Sequence, residues 1–492
     1  MDQGAIVKSI LGFARRSRKE ALHVMRVLTG RGQSHPWHWS TCLTGQKAKV
    51  PDGRASTHPT EAEFSPGLRS GWAVPIVAAL VGVVWLPRGV VHGAELASAA
   101  ATILAGDAGR HVAALADDAF EGREAGTRGG RAAGSYIVEA IDHLGLEPAG
   151  DAGGWYQPFG SMRNILALAR GSDPTVAEEL VVVSAHYDHV GYGNASNSYG
   201  PFGFVHNGAD DNASGVAGLI EIAEAIQALP SHPRRSILLA FWDGEEKGLL
   251  GSSHFLRVRP GPLRDFRIVF CINLDMIGRL RGERVEVYGS RTAPGLRALT
   301  VGVNNRPGTR ALELAYDWKI DPDSDHYSFI EKRIPTLMFH TGLHDNYHRP
   351  SDDVHLVNLD GLEPVARLTF ATAIAVADDP AVPRTFRSEC RQESESSRRM
   401  LEALAAGGKR GRWGIGSRSD PAEVQTPVVV RVAPESPAAR GGLIVGDRIV
   451  MIDGVPLMSQ DDMVRRLGES ADRISVLVDR RGRLVQLELA TQ

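Results

Sequence analysis

The sequence has few cysteines and little net charge, and both shortages limit what the chain can be. Its three cysteines, Cys42, Cys271 and Cys390, lie far apart and form no C-x-x-C pair, so neither a disulfide framework nor a thiolate metal site is expected. Cys271 lies in the apolar run 268–272 and is interpreted as a small buried thiol. Because the formal net charge is only −3, the composition argues against a nucleic-acid partner and against a polybasic membrane-surface protein.

The apolar run at residues 72–86 is too short for a typical membrane-spanning helix. Its 15 residues are followed by small residues near position 93, as in the core of a signal peptide. Since 71 residues precede the run, either the true start codon lies further downstream, which we favour, or the run is an uncleaved anchor. We therefore expect an exported protein, periplasmic or extracellular, with membrane contact only if residues 72–86 are retained. Cleavage would leave a mature N-terminus near Glu95.

The length of 492 residues is too great for one ordinary core, which predicts two folded units and flanking tails. The expected segments are a leader at 1–94 with a signal peptide or anchor at about 72–94, a first domain at 95–380, a linker at 381–410 and a second domain at 411–492. The linker contains Pro383 and a polar run, and hydrophobic periodicity fails there.

Apolar runs and amphipathic periods alternate along the first domain. The predicted strands are 180–185, 236–242, 268–274 and 334–339. The predicted helices include 133–144, 217–229, 249–256 and 359–377. This alternation predicts an α/β fold, a mostly parallel mixed sheet sandwiched by helices. The second domain is predicted to be small and β-rich, with strands at 428–432, 448–452, 474–478 and 484–489 and a helix at 460–467.

Histidines and carboxylates follow each predicted strand of the first domain and open one predicted helix. These residues are His186, Asp188, Asp210, Asp211, Glu245, Glu246, Asp275 and His348. In open α/β sheets, functional groups gather at the carboxyl ends of the strands. Each cluster alone has an ordinary explanation, such as a hydrogen bond or a helix N-cap. Five such clusters in one chain, however, indicate a metal site.

The residue types at these clusters limit the metal and its chemistry. Histidine and carboxylate ligands without thiolate suit zinc or another borderline divalent ion. Two histidines and three acids can hold two ions if one carboxylate bridges them, and such a pair holds a hydroxide and polarises a carbonyl. Glu245 and Glu246 can supply one ligand and one base, because neighbouring residues at a strand end point in different directions. Asp188 is placed to orient the His186 imidazole through a hydrogen bond.

The first domain carries seven sequence motifs that follow one another in a specific order. The motifs are Phe120-Glu-Gly-Arg-Glu-Ala-Gly126, His186-Tyr-Asp188, Gly208-Ala-Asp-Asp211, Glu245-Glu246, Asn273-Leu-Asp-Met276, Ser324-Asp-His326, and Tyr347-His348 with Pro350 and Asp352. Over roughly residues 109–376 the chain resembles peptidase family M28, which includes bacterial leucyl-type aminopeptidases. The resemblance implies a zinc exopeptidase-like fold and a hydrolase of the metallopeptidase class.

The resemblance also implies roles for individual residues. It implies two zinc ions held by His186, Asp211, Glu246, Asp275 and His348. One ion would take His186 and Asp275 and the other Glu246 and His348, with Asp211 rather than Asp210 as the bridge. Glu245 would be the general base that activates the bridging water and later protonates the departing amine.

Two other features near these motifs need an interpretation. His348 is preferred to its neighbours His340, His344 and His355 because only His348 lies in a Tyr-His-x-Pro-x-Asp context. His326 is expected near the site, as a structural or substrate-orienting residue rather than a ligand. Asn212-Ala-Ser214 has the form of a glycosylation sequon, but a glycan beside Asp211 would obstruct the site, so we interpret it as coincidence.

The second domain carries Trp413-Gly414-Ile415-Gly416 and, after it, the run 436–450 with Asp453-Gly454. These segments resemble the carboxylate-binding loop and the following turns of a PDZ domain. The resemblance implies that an extended peptide adds as a strand and that backbone N–H groups at Gly414, Ile415 and Gly416 capture its C-terminus. The alternative is a domain that packs on the peptidase without a ligand.

The expected activity is zinc-dependent aminopeptidase proteolysis of peptide or protein substrates. One alternative is a related enzyme, an M28-like carboxypeptidase or a single-zinc glutaminyl cyclase. The other is a non-catalytic protein that binds peptides through the PDZ-like domain. Retention of all five ligands favours the two-metal form, and the intact Glu245 argues against a non-catalytic protein. The ligands do not identify which end of the peptide is recognised.

Overall fold

The computed structural model describes residues 93–307, 309–382, 384–404 and 411–491. These residues all belong to one compact unit, residues 77–492. The apolar run 72–86 and Cys42 lie outside the described residues, so export and signal-peptide cleavage stay predictions. In the described ranges, no helix combines the length and the apolarity needed to cross a bilayer.

Helices and strands alternate along most of the chain. The helices are α1 (Gly93–Ala100), α2 (Ala105–Leu115), α3 (Arg128–Ile141), α4 (Gly215–Gln227), α5 (Leu250–Arg257), α6 (Leu296–Asn304), α7 (His326–Glu331), α8 (Leu359–Asp378), α9 (Glu395–Glu402), α10 (Pro437–Arg440) and α11 (Gln460–Glu469). The strands of the first domain are β1 (Glu147–Pro148), β2 (Tyr156–Phe159), β3 (Met162–Ala169), β4 (Glu179–His186), β5 (Ser236–Trp242), β6 (Arg267–Leu274), β7 (Arg284–Tyr288), β8 (Glu313–Tyr316) and β9 (Thr336–His340). Those of the second are β10 (Ile415–Arg418), β11 (Val428–Val432), β12 (Arg448–Ile452), β13 (Val455–Pro456), β14 (Arg473–Arg480) and β15 (Arg483–Ala490).

Strands β1 to β9 form one mixed sheet in the order β1-β3-β5-β4-β6-β9-β7-β8, with β2 paired to β3. The four central strands β5, β4, β6 and β9 are parallel, and antiparallel pairs join them to β3 and β7. The central strands are apolar on both faces because helices cover both sides of the sheet. The predicted sandwich is therefore confirmed.

The two faces of the sheet have separate cores. On one face, α2, α4 and α8 pack together over the sheet in the larger apolar cluster. On the other, Phe255 of α5 and Phe329 of α7 pack around Trp242, with ring centroids 5.2 and 6.2 Å from the indole. Cys271 is a free, buried thiol in this smaller core, as its apolar surroundings in the sequence predicted.

The shorter elements were not predicted. Strand β8 has only four residues and alternates half-buried with buried positions, so it leaves a weak periodic signal. Helix α3 begins five residues before the predicted start at 133, because the Thr127 side chain caps it by accepting from the N–H of Gly130. A cap followed by two glycines is hard to recognise as a helix start from apolar periodicity alone.

Strands β10 to β15 form a second, wholly antiparallel sheet in the order β10-β11-β12-β14-β15, with β13 paired to β12. The predicted strands 428–432 and 448–452 match β11 and β12, and the helix predicted at 460–467 extends to Glu469. A separate apolar core holds this domain together, in which Trp413, Ile449 and Val476 are buried. The prediction of a small β-rich domain is confirmed.

The second domain packs on the first through a network of buried ion pairs. The Arg291 guanidinium, which follows β7, donates to both oxygens of Asp420 at 2.9 and 3.0 Å and lies 3.6 Å from the centroid of the Trp318 ring. Asp420 also accepts from Arg448 at 2.8 Å. Because opposite charges face each other throughout, the burial of these groups is compensated. The two domains are therefore in direct contact through specific, paired side chains.

Candidate metal centre

The central strands of the first sheet bring three of the predicted clusters together. His186 ends β4, Glu245 and Glu246 follow β5, and Asp275 follows β6. Since β5, β4 and β6 are parallel neighbours, their carboxyl ends meet at one edge of the sheet, with His186 in the middle. Asp211 reaches the same edge from the loop before α4.

The side chains at this edge form two groups that share Asp211. In the first group, His186 Nε2 lies 3.5 Å from Asp211 Oδ1 and 3.5 Å from Asp275 Oδ1. In the second, His348 Nε2 lies 3.1 Å from Asp211 Oδ2 and 3.2 Å from Glu246 Oε2. One oxygen of Asp211 therefore faces each group, which is the arrangement of a bridging carboxylate.

The two groups fit divalent metal ions. Two ligand atoms on a tetrahedral zinc ion lie about 3.3 Å apart, given Zn–N and Zn–O bonds of about 2.0–2.1 Å, close to the distances observed. Asp275 Oδ1 is buried and makes no hydrogen bond. Burial alone would lower the pKa of His348, but hydrogen bonds to Asp211 and Glu246 raise it to about 11. Such concentrated negative charge favours bound cations.

His189 belongs to the second group and was missed in the sequence. Its Nδ1 lies 2.8 Å from Glu246 Oε1 and 3.7 Å from Asp211 Oδ2, and its ring contacts that of His348 edge-on at 5.5 Å. The signal was present, because His189 directly follows the His186-Tyr-Asp188 motif in the same turn. His189 therefore either orients Glu246 or joins the ligand set.

Asp188 holds the two glutamates rather than the imidazole. Its carboxylate accepts from the backbone N–H of Glu245 at 3.0 Å and of Glu246 at 3.3 Å. The distance from His186 Nδ1 to Asp188 Oδ1 is 3.8 Å, too long for a hydrogen bond, whereas the Asp188 backbone carbonyl lies 3.2 Å from the same nitrogen. The predicted orienting contact to His186 is therefore made by the main chain of Asp188.

Glu245 lies beside the two groups without belonging to either. Burial raises the pKa of its carboxyl group well above the ordinary value, and His186, Glu246 and Asp275 all act on it electrostatically. A carboxyl group that is close to the ligands but free of them suits proton transfer, for which a pKa nearer neutrality is favourable.

The loop that carries Asp211 is fixed by its neighbours. Asp352 Oδ2 accepts from the backbone N–H groups of Asp210 and Asp211 at 2.9 and 3.0 Å. The Asp210 carboxylate points away from both groups and accepts from Gly278 N at 2.6 Å, with His344 Nε2 3.1 Å from its other oxygen. Asp210 is thus a structural neighbour. His344 contacts Asp210, whereas His348 contacts Asp211.

His326 and Asn212, which were also singled out in the sequence, are buried. His326 is buried at the start of α7, where burial lowers its pKa to about 4 and its ring lies 6.3 Å from that of Tyr288. It belongs to neither group. The Asn212 side chain is fully buried and donates to the carbonyl of Leu274 at 3.1 Å. A buried amide cannot accept a glycan in the folded chain, which agrees with the reading of the sequon as coincidence.

His348 has an unusual backbone conformation, with φ at 52°. Residues other than glycine rarely adopt this left-handed conformation, and those that do are often at functional sites. The neighbouring Tyr347 ring stacks on the His348 imidazole with centroids 3.9 Å apart. The stacking holds the imidazole toward Asp211 and Glu246.

The Arg123 side chain connects two of the loops that carry the site residues. Its guanidinium is buried and donates to five main-chain carbonyls, those of Leu115, Tyr187, Asn207, Gly208 and Asp211. Burial lowers its pKa to about 10, so it stays charged at neutral pH. One side chain thus joins the loop after β4 to the loop that carries Asp211.

We expect Arg123→Met to destabilise the protein by about 3 kcal/mol or more, because five main-chain carbonyls would lose a charged donor. Urea unfolding measures the change. Arg131→Met is the matched control, since Arg131 is exposed and donates to one carbonyl, that of Gly126. Equal stability of the two variants would contradict this role for Arg123.

The candidate peptide groove of the second domain lies between β10 and α11. Gly414 takes φ at 75°, and a Cβ there would lie 2.3 Å from Ser436 Cβ, so glycine is required. Gly414 leads into β10, where Ile415 and Gly416 pair with β11. Across from this strand, Gln460 of α11 donates to the Ser417 carbonyl at 2.9 Å.

Comparison with known proteins points to the same class of enzyme, the peptidases, as the motifs of the first domain. The aminopeptidase YwaD of Bacillus subtilis is 27% identical over 226 residues, which cover 44% of this chain and 45% of that protein. A probable zinc metalloprotease of Pyrenophora tritici-repentis is 24% identical over 273 residues, 46% of this chain and 53% of that one. The chain thus spans about half the length of these curated relatives. The crystal structure of the LapA aminopeptidase of Legionella pneumophila shares the fold, with a TM-score of 0.50, 18% identity and coverage of 62% of this chain and 82% of that one.

Sequence models of two families match separate parts of the chain. Peptidase family M28 matches residues 164–373, which include the strands β4, β5, β6 and β9 and every residue of the two candidate metal groups. The PDZ domain matches residues 428–480, within the second sheet. Both resemblances drawn from the sequence are confirmed. The chain therefore contains a domain of peptidase family M28 at residues 164–373 and a PDZ domain at residues 428–480.

Proposed function

We propose that the chain is a two-zinc aminopeptidase that removes N-terminal residues from peptides. The observation that carries this proposal is the placement of Asp211, whose two oxygens face separate histidine and carboxylate groups. One zinc ion would be held by His186, Asp211 and Asp275, and the other by Asp211, Glu246 and His348. The zinc metalloprotease relative supports the choice of metal.

Zinc ions bound at these ligands supply Lewis acidity, which lowers the pKa of water and polarises the scissile carbonyl. The protein supplies the proton transfers. Glu245 accepts a proton from the attacking water and delivers it to the departing amine. Asp188 holds Glu245 and Glu246 through their backbone N–H groups, so that the base and a ligand keep a fixed separation.

A relative supports recognition of the amino end of a peptide. The aminopeptidase YwaD of Bacillus subtilis is 27% identical to this chain over 226 residues, a match that covers 44% of this chain and 45% of that protein. The charge of the ligands does not decide between the two ends, because two bound zinc ions would offset the carboxylates of Asp211, Glu246 and Asp275. The similarity to an aminopeptidase therefore favours this activity over the carboxypeptidase alternative.

The proposal is tested by zinc analysis of the purified protein together with two substrates. We expect at least two zinc ions per chain, hydrolysis of aminoacyl-4-nitroanilides and no hydrolysis of the same compounds with blocked N-termini. One ion per chain with cyclisation of N-terminal glutamine would indicate the glutaminyl cyclase alternative. Cleavage of blocked peptides from their C-terminus would indicate the carboxypeptidase.

For the PDZ domain we propose that it tethers long substrates by their free C-termini. The groove wall supports this role, because β10 is an edge strand and Val464, one turn after Gln460 on α11, is 58% exposed. An exposed apolar side chain beside an open strand edge suits a bound peptide.

The tethering proposal predicts that Val464→Glu lowers kcat/KM for long peptides by about ten-fold, because loss of the second contact removes the gain in effective concentration. Hydrolysis of aminoacyl-4-nitroanilides should not change. Val455→Glu is the control, since Val455 is 44% exposed in β13 of the same sheet. If Val464→Glu slowed long and short substrates equally, or neither, tethering would be wrong.

A further inference from the structure

A third group of metal-ligand side chains lies between α2 and α4 and shares no residue with the candidate metal centre. It consists of His111, Glu221 and Glu224, which can place one ring nitrogen and two carboxylate oxygens within 4.8 Å of one another. The glutamates are one turn apart on α4, so their side chains lie on the same face of the helix. His111 reaches them from α2, which packs against α4.

Glu221 is the most constrained member of this group. Its side chain is 0% exposed. Its Oε2 accepts from the backbone N–H of Leu104 at 2.9 Å, but Oε1 is buried without a hydrogen bond. A buried carboxylate oxygen without a donor is unfavourable, and a cation at Oε1 would compensate it.

His111 is prepared to act as a ligand. Its Nδ1 lies 2.9 Å from the Tyr136 hydroxyl, and a hydrogen bond of this kind fixes the ring orientation of metal-binding histidines. A neutral imidazole coordinates a metal ion through the lone pair of its other ring nitrogen. The guanidinium of the adjacent residue Arg110 is paired with Asp107, which offsets its positive charge.

We propose that His111, Glu221 and Glu224 bind a zinc ion that joins α2 to α4 and is separate from the catalytic pair. One nitrogen and two oxygen ligands suit zinc, and three protein ligands leave a position for water. The ion would have a structural role, because it would fasten the N-terminal part of the domain to a helix of the main core. This proposal does not depend on the proposed peptidase activity.

The experiment counts zinc in full-length protein that is stripped with chelator, saturated with Zn²⁺ and desalted. We expect Glu224→Gln and the double variant Glu221→Gln with Glu224→Gln each to hold one ion per chain fewer than the wild type. Glu363→Gln should keep the wild-type count. It is the matched control, because Glu363 accepts from the N–H of Ala105 at the same end of α2 but lies outside the group.

A second measurement, the change in Tm on addition of Zn²⁺, tests whether a variant loses zinc only because it is misfolded. Added Zn²⁺ should raise the Tm of the Glu224→Gln variant less than that of the wild type, because this variant lacks one of the sites through which the ion stabilises the native state. Glu224 is only half-buried, so its amide is compatible with the fold. Equal zinc counts in the wild type, Glu224→Gln and Glu363→Gln would overturn the proposal. Since the readout is a difference in zinc content, it holds whatever the ion count or activity of the catalytic centre.

Discussion

Glu245→Gln is expected to reduce kcat for peptide hydrolysis by about 10³-fold or more while the zinc content stays at the wild-type value. The amide keeps the size of the side chain but cannot accept a proton from water, and general base catalysis contributes about 10²–10⁴-fold. Steady-state kinetics on an aminoacyl-4-nitroanilide measure the change, and elemental analysis measures the zinc.

The control for this variant is Glu331→Gln, an exposed glutamate at the end of α7. It should have wild-type kinetics and zinc content. KM is expected to change little in Glu245→Gln if the residue acts mainly in the chemical step. A Glu245→Gln enzyme that retained a tenth of the wild-type kcat with both ions bound would show that another group is the base.

Much of the fold followed from the sequence because the central strands carry a strong signal. Strand β4, Leu-Val-Val-Val-Ser-Ala within its eight residues, is buried on both faces, and continuous apolar runs of this length are typical of parallel strands covered by helices. The candidate site followed from the same strands, since the clusters at His186, at Glu245 with Glu246 and at Asp275 lie where β4, β5 and β6 end. Strand β7 was missed although Arg284-Val-Glu-Val-Tyr288 alternates polar with apolar residues, which is the signal of a half-buried strand. Strand β8 has only four residues, too few for a clear period.

The roles of residues within the site were harder to predict than their positions. In the sequence, Arg123 was recognised only as part of the motif at residues 120–126. Its supporting role could not be predicted, because hydrogen bonds from a guanidinium to main-chain carbonyls leave no pattern in the sequence. The contact of Asp188 with the backbone of Glu245 depends on β4 and β5 being parallel neighbours, which a single sequence does not specify. His189 was missed although it directly follows a recognised motif, because its side chain reaches the site only through the turn after β4.

The contacts of Asp211 give the two-ion proposal its sharpest test, since its side chain faces both groups. We expect Asp211→Ala to bind neither catalytic ion and to lose at least 10³-fold in kcat/KM. His348→Ala should lose only one ion, because His186, Asp211 and Asp275, the ligands of the other ion, stay in place. The loop should survive the Asp211 substitution, because Asp352 holds it through the backbone N–H groups of Asp210 and Asp211.

Zinc counts on matched preparations separate a bridged pair from two independent sites. Asp345→Asn is the control, an exposed carboxylate in the loop that carries His348, and it should keep both ions. A bridging carboxylate predicts that Asp211→Ala holds one ion fewer than His348→Ala, because both coordination spheres lose a ligand at once. If the two variants held the same number of ions, Asp211 would serve a single site. The two ions would then occupy independent sites that share no carboxylate.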